Sequence, residues 1–138
     1  MRFVDIEEEE HGPSVETIQA QGIEAQEAAN QTLYSRALQL QSSGSMQEAA
    51  EVYRELLQQK LLVEAELADD ARDVDAELNM HPSLRLRSLA LKNLAKIESA
   101  EGEYQSALQH VLLAVQIQQH DAVLWHRLGT LAMRTEQK

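Results

Sequence analysis

Five histidines, at positions 11, 81, 110, 120 and 126, are the chain's candidate metal ligands and proton carriers. They share no metal-ligand spacing, and His120 and His126 fall on different sides of a helix start. His81, directly before Pro82, reads as a helix-start residue; His110 and His126 read as helix-surface residues. The chain has no cysteine, which removes thiolate nucleophiles, cysteine-held metals and disulfides and suits a reducing compartment. Ser83 and the serines of "SSGS" (42–45) have no evident base nearby. The glycines, 12, 22, 44, 102 and 129, sit at turns or at a helix crossing and form no phosphate-binding loop. No catalytic residue, metal or cofactor is expected, and the chemistry left is binding.

Side chains suited to binding recur at helical spacing. Leu89, Lys92, Asn93 and Lys96 lie on one helix, His126, Arg127 and Thr130 on a later one, and Tyr34, Leu38 and Gln41 on an earlier one. Placed side by side they make a groove with an apolar end and a basic end. Such a groove could take an acidic or extended peptide, or fold back on an acidic stretch of its own chain. The competing reading is a solvated helix face with no ligand.

The elements that would position these residues follow from the apolar periodicity. Helix 28–42 leads through a glycine turn into helix 46–62; helix 83–101, opened by His81-Pro82, leads through a second glycine turn into helix 104–118; helix 122–134 follows. Gly44, Met46, Ala49, Tyr53 and Leu56 repeat the spacing of Gly102, Tyr104, Ala107, Val111 and Ala114. With the small residue of each first helix at Ala37 and Ala95, one step of 34 residues from Ala95 lands on Gly129, and the same step from Leu91 and Leu94 lands on Trp125 and Leu128. Trp125, Leu128 and Gly129 match the W-x2-L-G opening of a tetratricopeptide (TPR) unit. A glycine inside a helix costs about 1 kcal/mol relative to alanine, so the frame predicts a neighbouring helix crossing at Gly129. The fold class expected is all-α: a TPR solenoid fragment with an acidic insert between its first and second repeats. Its parts are an acidic N-terminal segment (1–23), a first helix pair (24–62), the insert (63–80), a second pair (81–119) and the first helix of a truncated third unit (122–138). That last helix leaves a face to be covered by more solenoid or by a second copy.

Charge is uneven. The net charge of −11 comes from residues 1–16, at −5, and residues 63–80, at −6; the rest is nearly neutral. An acidic chain repels phosphate backbones, so no direct nucleic-acid binding is expected. The acidic stretches are either solvated loops or sites for a basic partner. The insert holds few large apolar side chains and is expected to be mobile over 68–80. No apolar run approaches the roughly 18 residues of a membrane span, and the N-terminus lacks a signal-peptide core, so no membrane partner is expected.

Within TPR proteins, some modules grip the C-terminal carboxylate of heat-shock chaperones with a five-residue clamp. The corresponding positions are Tyr34, Leu38, Asn93, Val123 and Arg127, of which Asn93 and Arg127 suit the task. A co-chaperone-like module is therefore the weaker alternative. "LYSRALQLQ" (33–41), "AAEVYRELL" (49–57), "HPSLRLRSLALKNLA" (81–95) and "ALQHVLLAVQIQQHDAVLWHRLGTLA" (107–132) resemble the start of the animal Cabin (calcineurin-binding) proteins and their plant and fungal relatives, over about residues 24–134. Those relatives are the large TPR subunit of HIR-type histone chaperone complexes. The resemblance implies a nuclear, non-catalytic scaffold for replication-independent nucleosome assembly. Its partners would be a WD-repeat subunit, a ubinuclein-type subunit and, through the acidic segments, histones. The calcineurin-binding part of the animal protein lies in its distant C-terminal region, so that function is not implied for this segment.

Overall fold

A computed structural model describes residues 15–65 and 80–136. The described residues are helical and contain no strand: α1 (Val15–Ser42), α2 (Met46–Leu57), α3 (Lys60–Val63), α4 (Pro82–Ala100), α5 (Tyr104–Ile117) and α6 (Ala122–Glu136). The expected mobile stretch, 68–80, lies outside the described residues except for Met80.

Two tight turns make the two helix pairs. Gly44 has φ +90° and Gly102 φ +82°, the left-handed conformation that a residue without a Cβ adopts at no steric cost. At the first turn Ser45 N–H donates to the Leu40 carbonyl (2.8 Å); at the second Glu103 N–H donates to the Glu98 carbonyl (2.8 Å). Each bond satisfies a carbonyl that the helix end leaves open. The start of α4 is set as expected: Pro82 stands in the first turn, and His81 Nδ1 accepts from Ser83 N–H at 3.1 Å. At α6, Asp121 Oδ1 accepts from Leu124 N–H at 3.2 Å.

Two boundaries and one packing position differ from the periodicity. Helix α1 begins at Val15 rather than 28, so residues 15–23 belong to a helix and not to a separate acidic segment. Residues 21–26 are exposed, so no apolar stripe marks them; Ala, Gln and Glu carry the helix by propensity alone. The second helix stops at Leu57 instead of reaching 62. Its buried stripe is Ala49, Tyr53 and Leu56, and the next position on that stripe is Lys60. A continuous helix would bury that ammonium and turn Leu62 to water. The chain instead takes an extended residue at Gln59 (φ −67°, ψ 140°) and restarts as α3, which leaves Leu62 with no exposed surface.

The third difference is at Gly129. A Cβ built there would meet nothing within 4 Å, and Trp125 is 50% exposed with its Nε1–H on the Gln119 carbonyl (2.7 Å). The packed face of α6 is Leu124 and Leu131, 1% and 3% exposed. One 34-residue step back these are Ala90 and Ile97, which face α2. Leu91 and Ala95, which face α5, step forward to Trp125 and Gly129. The glycine therefore lies on the side that no described helix covers. Replacing Gly129 with leucine is thus not expected to wedge a helix crossing within these residues. Gly129→Ala is expected to stabilise the chain by about 0.5–1 kcal/mol through helix propensity, read as a raised melting temperature; a lowered one would show that the site is filled in solution.

Helix α4 lies between two clusters. On one side Leu86, Ala90, Leu94 and Ile97 pack with Ala37, Ala49, Tyr53, Leu56 and Leu62. On the other, Leu84, Leu91 and Ala95 pack with Met80, Ala107, Val111, Ala114, Leu124 and Leu131. Ala37, Ala49, Ala95, Ala107 and Ala114 are each 0% exposed, the small residues that let helices approach closely. The Tyr53 hydroxyl, buried in the first cluster, donates to Gln41 Oε1 at 2.7 Å. Burial, with a smaller contribution from the Tyr34 ring beside it, raises its pKa from 10.0 to about 12. An unfolded tyrosine ionises near pH 10, so the folded state holds the extra proton between pH 10 and 12. Stability is complete below pH 10 and falls as pH rises through that window. Tyr53→Phe is expected to flatten this fall in melting curves taken across it; an unchanged slope would place the alkaline loss elsewhere.

Candidate partner-binding surface

The residues expected to line one groove divide into two groups. Along the seam of α1 and α4 the polar side chains satisfy one another. Asn93 Nδ2 donates to the Tyr34 hydroxyl (3.3 Å) and to the Leu89 carbonyl (3.1 Å). The Tyr34 ring leans on Tyr53 with centroids 6.1 Å apart; burial raises the Tyr34 pKa against the smaller lowering effect of Asn93. Gln41 accepts from Tyr53. Lys92 lies 3.8 Å from Asp121 Oδ2, tying α4 to the residue that caps α6. Tyr34, Gln41, Lys92 and Asn93 thus build the framework. Leu38 stays 38% exposed beside them.

This seam does not resemble a carboxylate clamp. Its asparagine, Asn93, is occupied by Tyr34, and Val123 presents an apolar side chain, 64% exposed.

The second group opens between α4 and α6. Lys96 and Arg127 line a cleft of about 330 Å³ together with Ser99, Ala100, Tyr104, Thr130, Leu131 and Arg134. Three cations face this space, and no acidic side chain lines it. Arg134 Nη1 donates to the Tyr104 hydroxyl at 3.1 Å, and its guanidinium carbon stands 5.1 Å from the Tyr104 ring centroid, a cation–π contact that orients the fork. His126, exposed on the same helix, does not line the cleft.

Sequence reasoning found Lys96 and Arg127 and missed Arg134 and Tyr104. The signal for Arg134 was present: 127, 130/131 and 134 form one helical stripe, which the frame ended one turn too early at Thr130. Tyr104 was assigned to the repeat frame as an apolar position. Its ring packs at the edge of the second cluster, while its hydroxyl reaches the cleft.

Among the described residues no three His, Asp or Glu side chains converge as a metal site would require, and no helix is long and apolar enough to cross a membrane. The arrangement is that of a helical domain with stacked helix pairs and a cationic cleft on one side. The family model described as the CABIN1 N-terminal domain covers residues 27–137, and the chain belongs to that family. A curated relative, "Calcineurin-binding protein 1" of Arabidopsis thaliana, is 34% identical over 112 residues. The match takes in 79% of this chain and 6% of that relative, so the chain spans a small part of the relative's length.

Proposed function

We propose that this chain is a non-catalytic scaffold segment of a HIR-type histone chaperone complex, working in the nucleus through protein–protein contacts. In this reading its helix pairs are the opening units of a TPR solenoid, with 63–80 as an insert between the first and second. The observation that carries the reading is membership of the CABIN1 N-terminal family over residues 27–137. The 34-residue correspondence of α4 with α6 supports the solenoid: Ala90 and Ile97 occupy toward α2 the place that Leu124 and Leu131 occupy toward α5. The acidic stretches 1–16 and 63–80 would meet basic partners such as histone tails, while the helices hold WD-repeat and ubinuclein-type subunits.

Affinity purification of the tagged chain from nuclear extract, followed by mass spectrometry, tests this. Recovery of HIR-type subunits is expected. Recovery of heat-shock chaperones without any such subunit would favour the co-chaperone reading instead.

A further inference from the structure

We infer that the cleft between α4 and α6 is a binding site for an acidic peptide segment of a partner protein, seated by Lys96, Arg127 and Arg134. The inference rests on the reading of this chain as an interaction module, not on which complex it joins.

Three observations point to an anionic ligand. First, the charges are uncompensated: the ion pairs among the described residues engage Arg54, Lys92 and His110, and not Lys96, Arg127 or Arg134. In a chain of net charge −11, three cations around one cleft without a lining carboxylate run against the overall composition. Second, Ser99 Oγ is buried at the cleft wall with no hydrogen-bond partner. A buried hydroxyl left unpaired is costly; rotated toward the cleft that Ser99 lines, it would find a ligand oxygen. Third, Arg134 is held on Tyr104 by a hydrogen bond and a ring contact. A guanidinium so placed still has donors to offer a carboxylate, with less freedom to lose on binding.

The shape selects a peptide over a nucleic acid. Nucleic-acid binding gains affinity from charges that track a backbone over many phosphates. Here the cations surround an open cleft of about 330 Å³ that Ala100, Leu131 and Tyr104 also line. That suits one or two acidic side chains flanked by a small apolar residue.

The chain's own insert is a poor occupant. It joins α4 at the far end, where Arg87 Nη1 donates to the Ala65 carbonyl. Lys96 lies fourteen positions beyond Pro82, about 21 Å at the helical rise. Ala65 lies beside Arg87, nine positions from Lys96, so the fifteen steps from Ala65 to Met80 would spend about 35 Å of a contour of about 50 Å on the path out and back, at a cost in chain freedom.

The test is a fluorescence-anisotropy titration of the purified full chain with a labelled peptide of alternating Glu and Ala, alongside amide chemical-shift mapping. Binding is expected, with shifts confined to residues 96–104 and 127–134. The charge reversals K96E and R127E together should weaken it by at least about tenfold, as loss of two charge-assisted contacts implies. R36E, at an exposed cation of α1, should leave it within about twofold, as expected where screening separates exposed charges. Equal affinity for the K96E/R127E variant overturns the assignment. So does tighter binding of a single-stranded oligonucleotide of equal charge, of a phosphoserine peptide by more than about tenfold, or a similar gain in peptide affinity on deleting residues 66–79, which would make the insert the occupant. Purified components are used throughout, so this result is independent of whether HIR-type subunits are recovered from extract.

Discussion

Leu94→Ala is expected to lower the free energy of unfolding by about 2–5 kcal/mol, the range for truncating a fully buried leucine. Leu94 is 0% exposed. It projects from α4 into the cluster formed with Ala37, Tyr53, Leu56 and Ile97. Helix α4 is the element that both clusters share, so a cavity there loosens α1 and α2 from the rest of the chain. The neighbours are poorly able to collapse into the space: Ala37 and Ala49 are small and fully buried in the same cluster, and the Tyr53 hydroxyl is fixed on Gln41. A domain of this size has a total stability on the order of 5–15 kcal/mol, so the variant loses a large part of it. Urea denaturation followed by circular dichroism measures the change. Leu112→Ala, at a leucine 43% exposed on α5, is the comparison and is expected to cost less than about 1 kcal/mol. Equal costs for the two would mean that α4 is not the shared core element.

The division between what the sequence shows and what it hides follows the physics of each position. Small residues at fixed spacing marked the helix crossings, because only Ala or Gly lets two backbones approach: Ala37, Ala49, Ala95 and Ala107 are all fully buried. Glycine turns and the His81-Pro82 start were legible because they depend on local backbone geometry. The early start of α1 was not, since residues 21–26 are exposed and mark no periodic stripe. The break at Gln59 was readable in principle from Lys60 on the buried stripe. Gly129 was expected at a helix crossing, but it lies on a face of α6 that no described helix covers, because packing turns Leu124 and Leu131 inward instead. For the cleft, the frame put Lys96 and Arg127 on neighbouring helix faces, and both line it. It could not tell which polar residues would pair among themselves, because that depends on how two helices rotate toward each other. Lys92 and Asn93 turned toward Asp121 and Tyr34, and Lys96 did not.

Glu98 is the clearest case of a residue that sequence reading passes over. A glutamate in a helix usually marks a solvated face, yet its side chain is 3% exposed. Its two oxygens join three helices: Oε1 accepts from His110 Nδ1 of α5 at 2.6 Å, and Oε2 lies 3.5 Å from Arg54 Nη2 of α2. Glu98→Ala is expected to destabilise the fold by about 1.5–3 kcal/mol, the range for losing charge-assisted hydrogen bonds at a buried site. The upper figures for breaking buried ion pairs do not apply. The Arg54 side chain is 45% exposed and His110 25%, so both can turn to water once the carboxylate is gone, and neither is stranded as a buried charge. Glu98→Gln keeps the shape and one acceptor and should cost less than alanine. The decisive measurement is a double-mutant cycle between Glu98→Ala and His110→Ala in urea denaturation. The short His110 contact predicts strong non-additivity, on the order of 1 kcal/mol or more, whereas the cycle with Arg54→Ala should give a smaller term because that pair is longer and half in water. Additive costs for Glu98 and His110 would show that the carboxylate acts only as packing volume and does not tie α4 to α5.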